Sequence, residues 1–309
     1  MISSKKIRIA TRKSPLALWQ ANSIRDQLMV LWPDLEVELV PMSTSGDKFL
    51  SDKLLTIGGK GLFVKELEEA LLAKRADIAV HSMKDVPIAF PDGLMLAVIC
   101  ARHNPLDAFV SELYTHFDSL PDGASVGTSS LRRQSQLLAK NASLVIQPLR
   151  GNIHTRLLKM EQGGYDAIIL AAAGLERMGM HSKIRETFTP EVMLPACGQG
   201  ALGVECREDD DAMQTLLAPL NDEITARCVM AERRVNALLG GNCHTPLAVY
   251  CRPIDASTIR LSGRVASEDG KMILAHQFDG VYEQAMQLAD QAVQALLADG
   301  VESFLSHEH

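Results

Sequence analysis

Ser125-Val126-Gly127-Thr128-Ser129-Ser130-Leu131-Arg132-Arg133 is the stretch from which the architecture is read. A short strand, 125–127, runs into three hydroxyl residues. A helix that continues to Lys140 opens directly behind them, because Ser and Thr cap the free N–H groups of a first helical turn. A strand feeding straight into a helix is the unit of an α/β fold with a largely parallel sheet. Working outward, the same alternation recurs. Ala108–Ser111 reads as a strand before it. After it come strand Leu144–Pro148, helix Ile153–Gln162, strand Tyr165–Leu170 and helix Ala171–Met178. The N-terminal third repeats the pattern: strand Ile7–Ala10, a helix opened by Ser14-Pro15 and stopped by Trp32-Pro33-Asp34, strand Val37–Pro41, helix Phe63–Lys74, and strands Asp77–Val80 and Leu94–Cys100. Ala201–Cys206 reads as a strand returning to that first sheet. Helix Ile224–Leu239, three strands (Leu247–Arg252, Ile259–Val265, Met272–Phe278) and helix Glu283–Leu297 make a small α+β domain. The expected fold is two α/β lobes with a ligand cleft between them and a C-terminal α+β domain. The expected boundaries are 1–100 with 201–218, 106–194, and 223–309.

The 309 residues are 47% hydrophobic and 22% charged, which excludes wholesale disorder. No apolar run is long enough to cross a bilayer, and Ala167–Leu175 is the longest candidate. The charged start lacks an apolar segment behind it, so a cytoplasmic protein without a membrane partner is expected. Six cysteines are then thiols, and with no close pair among them no metal site is expected. The net charge of −7 is uneven. Residues 1–100 carry 13 basic against 12 acidic side chains, residues 101–200 carry 10 against 9, and residues 201–309 carry 8 against 17. With 5% aromatic residues and no basic stripe, nucleic acid is a poor fit.

The near-neutral lobes place arginines at strand–helix junctions: Arg12 with Ser14, Arg132 with Arg133, Arg150 with Arg156, and Arg177. Arg132 with Arg133 alone fits a solvated surface pair equally well, and each of the other sites alone fits a surface arginine better than a ligand clamp. Together they suit a small molecule bearing several carboxylates or phosphates, because open α/β folds bind ligands at the carboxyl ends of their strands. Arginine in a first helical turn also opposes the helix dipole unless an anion arrives there. His81-Ser82-Met83-Lys84-Asp85 closes another strand, where Asp85 is either an exposed partner of Lys84 or a catalytic carboxylate with a cationic neighbour. Gly58-Gly59-Lys60-Gly61 lacks the spacing and the hydroxyl of a phosphate loop. Cys100, Cys197, Cys206, Cys228 and Cys251 sit in or beside apolar runs and are expected to pack. Cys243 lies in a turn between Gly240-Gly241-Asn242 and His244-Thr245-Pro246, which suits either an exposed thiol or covalent attachment.

These motifs together resemble the hydroxymethylbilane synthase (porphobilinogen deaminase) family over essentially the whole chain. The resemblance rests on Arg12-Lys13-Ser14-Pro15-Leu16-Ala17, Gly59-Lys60-Gly61-Leu62-Phe63-Val64-Lys65-Glu66, and His81-Ser82-Met83-Lys84-Asp85-Val86-Pro87. It continues through Val126 to Arg133, Leu149-Arg150-Gly151-Asn152, Gly198-Gln199-Gly200 and Glu232-Arg233. It implies two lobes resembling periplasmic solute-binding proteins, and a dipyrromethane cofactor thioether-linked to Cys243. It also implies Asp85 as the catalytic carboxylate facing pyrrole N–H groups. Arg12, Ser14, Lys60, Phe63, Ser82, Lys84, Thr128, Ser129, Ser130, Arg132, Arg133, Arg150, Arg156, Arg177 and Gln199 match family positions that bind cofactor and substrate. The implied reaction is a transfer: four porphobilinogen molecules lose ammonia and join head to tail on the cofactor, and hydrolysis releases linear hydroxymethylbilane. A monomer is expected, with handover of product to the next enzyme of tetrapyrrole (haem) biosynthesis. The loop 43–61 would be a lid. Two positions depart from the family pattern, Asn242 before the cysteine and Thr56 where a second lysine is common. The rival reading is a non-enzymatic solute-binding or ligand-sensing protein for a polycarboxylate, which would need neither Cys243 nor Asp85.

Overall fold

The computed structural model describes residues 6–44, 64–241 and 245–305. The chain divides into two compact units, Met1–Arg102 with Ala201–Ala226, and His103–Gly200 with Arg227–His309.

In the first unit, strands β1 (Lys6–Arg12), β2 (Glu36–Met42), β3 (Ile78–Ser82) and β4 (Leu94–Ile99) run parallel. They are joined by β10 (Leu202–Arg207), which inserts antiparallel between β3 and β4 to give the order β2-β1-β3-β10-β4. Helix α1 (Pro15–Leu31) starts at N-cap Ser14, whose side chain accepts from Ala17 N, with Pro15 at the first helical position, where its missing N–H costs nothing. It covers one sheet face, where Ile24 and Leu28 meet Ile7, Ile9, Ile78 and Val204. Helix α2 (Lys65–Leu72) covers the other, setting Leu67 and Leu71 against Ala10 and Ala79. Each fully buried Leu or Ile contributes about 1.5–3 kcal/mol of apolar transfer, so both faces hold the sheet.

The second unit has a sheet of the same plan. Strands β5 (Asp107–Val110), β6 (Ser125–Gly127), β7 (Val145–Gln147), β8 (Ala167–Ala171) and β9 (Glu186–Thr187) lie in the order β7-β6-β8-β5-β9, with β5 antiparallel to both its neighbours. The two-residue β9 carries too little pattern to be read from sequence. Helix α3 (Leu131–Lys140) packs Leu137 on one face of this sheet; α4 (Ile153–Lys159) and α5 (Ala172–Arg177) pack Leu157 and Leu175 on the other.

Further along are α6 (Asp211–Leu217) and α7 (Glu223–Leu238). A three-stranded antiparallel sheet follows, β11 (Leu247–Pro253), β12 (Thr258–Ala266) and β13 (Ile273–Val281), and then helix α8 (Ala285–Ala298). The alternation of buried positions along β12 from Thr258 to Val265 gives this sheet one apolar face. α8 and the end of α7 cover it with Leu288, Ala292, Leu296, Ala231 and Val235. Its β12–β13 hairpin touches α3: Gln134 donates to Glu268 O (3.3 Å), and Arg264 donates to Gln136 Oε1 (2.7 Å) and to the carbonyls of Glu191 and Val192.

Candidate active site

Parallel strands end at one sheet edge, so β1 and β3 bring Arg12 and Ser82 to the same edge of the first sheet. Ser82 is fixed there by a contact the sequence did not reveal: buried Gln20, from α1, donates Nε2–H to Ser82 Oγ at 2.8 Å. Beyond Ser82 the chain makes a single 3₁₀ turn, Met83–Asp85. Met83 is 1% exposed and its N–H donates to Ala201 O at 3.0 Å. Its thioether fills the space where a β-carbon on Gly203 would sit, which is why that strand position is glycine. A buried methionine thus anchors a turn whose other two residues, Lys84 and Asp85, are exposed. Asp85 is an exposed carboxylate at a sheet edge on a short segment held in place by a buried neighbour.

In the second unit the edge carries the predicted hydroxyl and arginine set, but its connections differ from the expectation. Ser130 is the N-cap of α3, accepting from Arg133 N at 3.5 Å. Thr128 is buried, and its Oγ1 accepts from Ser130 N. Ser129 Oγ donates to Leu149 O and accepts from Leu149 N, stitching the turn after β6 to the end of the β7 segment. These hydroxyls build the edge. Arg132 and Arg133, expected to offer their forks to a ligand, converge on Asp107 at the start of β5. Arg132 Nη1 lies 2.7 Å from Oδ2, and Arg133 Nη2 and Nε lie 2.6 and 2.9 Å from Oδ1. The anion that relieves two arginines in a first helical turn is therefore supplied by the chain itself. Arg132 also donates to Leu194 O, Arg133 to Ile169 O, and Gln199 Nε2 to Asp107 Oδ1 and Pro105 O. Burial alone would raise the Asp107 pKa, but the two guanidinium charges outweigh it and hold the carboxyl well below the usual range. Burial lowers the Arg133 pKa, opposed by Asp107.

Two arginines against one aspartate leave this buried cluster with a formal charge of +1. The remaining cations surround the same edge. Arg150 is half-buried, and none of the described hydrogen bonds or ion pairs engages its guanidinium. Arg156 Nε donates to Gly151 O (2.7 Å) beside the Asn152 cap of α4, and Arg177 Nη2 donates to Gly200 O (2.8 Å). Lys60, Phe63 and Cys243, together with the expected lid and the Thr56 and Asn242 departures, lie outside the described residues, apart from the lid's first two positions, 43 and 44. The frame of the cysteine turn is described. Two residues past the end of α7, Gly240 has φ +65°, and a β-carbon on Gly241 would meet the side chains of Asn236 and Leu247, which would have to move. Of the five cysteines expected to pack, Cys100, Cys206, Cys228 and Cys251 are buried. Cys197 is only half-buried.

Taken separately, one α/β unit gathers cations suited to a small polyanion at its sheet edge, and the other presents an exposed carboxylate on a pinned turn. Comparison with known proteins specifies the family. The description "Porphobilinogen deaminase, dipyromethane cofactor binding domain" matches residues 7–215, and "Porphobilinogen deaminase, C-terminal domain" matches residues 226–298. The chain belongs to the porphobilinogen deaminase family. Relatives named porphobilinogen deaminase include those of Legionella pneumophila strain Paris, 58% identical, and strain Lens, 57% identical, each over 305 residues and 99% of both chains. Solved structures with a similar trace include a putative methionine-binding lipoprotein of Bacillus subtilis, with TM-score 0.44 and 15% identity over 70% of this chain and 90% of that one. Another is the periplasmic aliphatic sulphonate binding protein SsuA of Escherichia coli, with TM-score 0.43 and 14% identity over 97% and 89%. The chain is accordingly a transferase with a dipyrromethane cofactor, and the rival solute-binding reading is not favoured. No helix among the described residues is long and apolar enough to cross a membrane.

Proposed function

We propose that the chain joins four porphobilinogen molecules head to tail on a dipyrromethane primer held by Cys243, releasing ammonia and then linear hydroxymethylbilane. The observation that carries the reading is Asp85, an exposed carboxylate on a turn pinned by buried Met83, at the sheet edge where Arg12 and Ser82 also end. The cofactor bears several carboxylates, and the residues present fit it. The Asp107 cluster keeps a net positive charge, Arg150 has its fork uncommitted among the described residues, and Gln199 Oε1 is buried without a partner among them. When bound, dipyrromethane supplies the pyrrole carbon from which the product grows. Arg150, Arg156 and Arg177 would hold its carboxylates and those of the lengthening product, Arg132 and Arg133 would add the residual positive charge of their cluster with Asp107, and Thr128, Ser129, Ser130 and Gln199 would shape that edge. Arg12, Ser14, Ser82 and Lys84 would orient the incoming porphobilinogen, and Lys60 and Phe63 would close over it. The Asp85 carboxylate would stabilise positive charge as it develops on each pyrrole nitrogen, an effect worth several kcal/mol when preorganised.

Three domains account for the two compact units, since residues 223–309 enclose a hydrophobic core of their own beside those of 106–194. A cytoplasmic monomer that passes a labile product to the next enzyme completes the reading. The intact mass of purified protein tests it. One dipyrromethane above the sequence mass is expected, and active protein with an unmodified Cys243 would overturn it.

A further inference from the structure

Behind the pinned turn, on the sheet face covered by α2, the first unit buries a group of ionisable side chains that the reaction as described does not use. In the β3–β10 ladder, His81 stands opposite Gly203 and Glu205 opposite Ala79, so the two side chains lie diagonally on one face. Their exposures are 6% and 0%, and His81 Nε2 lies 2.8 Å from Glu205 Oε2. A ring nitrogen and a carboxylate oxygen approach this closely only with a proton between them. Glu68, 8% exposed, comes down on them from α2. Burial first, and then the charge of Glu205, push its carboxyl up to about 7, against a smaller opposing effect of His81. Glu68 Oε1 and Glu205 Oε1 are both buried without a hydrogen-bond partner among the described residues.

No other charge among the described residues neutralises the group. β4, the far neighbour of β10, is entirely apolar, Leu94–Ile99. On β10, Arg207 sits at the opposite end and donates to Leu71 O, Ala76 O and Asp210. On β1, Arg8 is committed to Asp77, and Arg12 stands at the carboxyl edge. On α2, Lys65 pairs with Glu69 at the surface, while Glu66 adds a further partly buried carboxyl. Lys84 and Asp85 face solvent.

We propose that His81 and Glu205 are positioning residues for the Ser82–Asp85 turn, and that ionisation of Glu68 beside them alters that alignment. The reasoning is steric as well as electrostatic. His81 is the residue before Ser82, and Met83 packs on Gly203, the strand partner of His81, so the His81–Glu205 bond fixes the platform on which the turn stands. When Glu68 ionises, a second negative charge enters a buried site that already holds Glu205, and the platform must adjust. Turnover should therefore carry an ionisation belonging to the interior of the first lobe, from groups that never touch substrate.

This inference rests on the assignment of Asp85 as the catalytic carboxylate, and the experiment separates the two. Holoenzyme of wild type, Glu68→Gln, His81→Gln, His81→Leu, Glu205→Gln and Asp85→Asn is compared for cofactor content by intact mass, and for kcat and KM between pH 5.5 and 9. His81→Leu and Glu205→Gln should lose at least tenfold in kcat with KM within about twofold of wild type and the cofactor in place. His81→Gln, which keeps a donor for Glu205, should recover most of that loss. Glu68→Gln should abolish an inflection near pH 7 in the kcat profile. Should Asp85→Asn turn over normally, the assignment beneath fails. If Asp85→Asn is inactive while His81→Leu and Glu205→Gln match wild type, or the Glu68→Gln profile superimposes on wild type, the positioning proposal alone is overturned.

Discussion

The two sheets share a strand plan, and in each the one antiparallel strand carries a fully buried carboxylate: Glu205 on β10 and Asp107 on β5. Their partners separate them. Asp107 meets two guanidinium groups, which stay charged at any pH a folded protein meets, so its lobe is set by fixed charge. Glu205 meets an imidazole and a second carboxylate from α2, Glu68, whose pKa is pushed up to about 7. One frame thus surrounds its buried carboxylate with fixed positive charge in one lobe and, in the other, with an imidazole and a carboxyl whose pKa burial has raised.

The comparison breaks most severely at Asp107. Asp107→Ala strips the counter-charge from two buried arginines and should cost about 3–5 kcal/mol, read as a lower urea midpoint with the slope unchanged. Asp85→Asn, on the other lobe, should leave stability and cofactor intact while lowering kcat at least 100-fold, equivalent to about 2.7 kcal/mol. Near-normal turnover would remove Asp85 from the mechanism. The pH dependence of stability sharpens the contrast. The folded-state pKa of Glu68 is raised from 4.5 to about 7, so its contribution is fully present below pH 4.5, declines as pH rises, and is lost above 7. Wild type should lose roughly 2 kcal/mol between pH 5 and 8 from this group, and Glu68→Gln should flatten that slope. Asp107 has the opposite sign. Its folded pKa is depressed, so its stabilisation is complete above the ordinary aspartate value and fails only as acid reaches below it. Smallest is Ser130→Ala, which removes the cap of α3 and should cost about 1 kcal/mol by thermal or urea unfolding.

What could be read from sequence follows from range. The junctions were legible because each is local: Ser14 before Pro15, Ser130 before Leu131 and Asn152 before Ile153 announce helix starts within four residues. The returning strand is legible because a short, mostly apolar run, interrupted by Glu205, follows a glycine turn. Partnerships were not. Arg132 reaches Asp107 across 25 positions, Gln20 reaches Ser82 across 62, and His81 reaches Glu205 across 124. No pattern in one chain links such residues before the sheet order is known. A signal existed for Asp107, an acidic residue opening an otherwise apolar strand, since buried charge demands a partner. The arginines, which suit an external anion equally well, mask that signal.

The insertion of β10 has a consequence for how the molecule is made. The first sheet cannot close until residue 207 has been synthesised, because its fourth strand comes from the far side of the second lobe. The second sheet uses only residues 107–187 and is complete sooner. On the ribosome the N-terminal lobe must therefore wait with its β3 and β4 edges unpaired while the lobe behind it folds. The last strand to arrive brings Glu205 to His81, so the platform beneath the Asp85 turn is among the final pieces set in place.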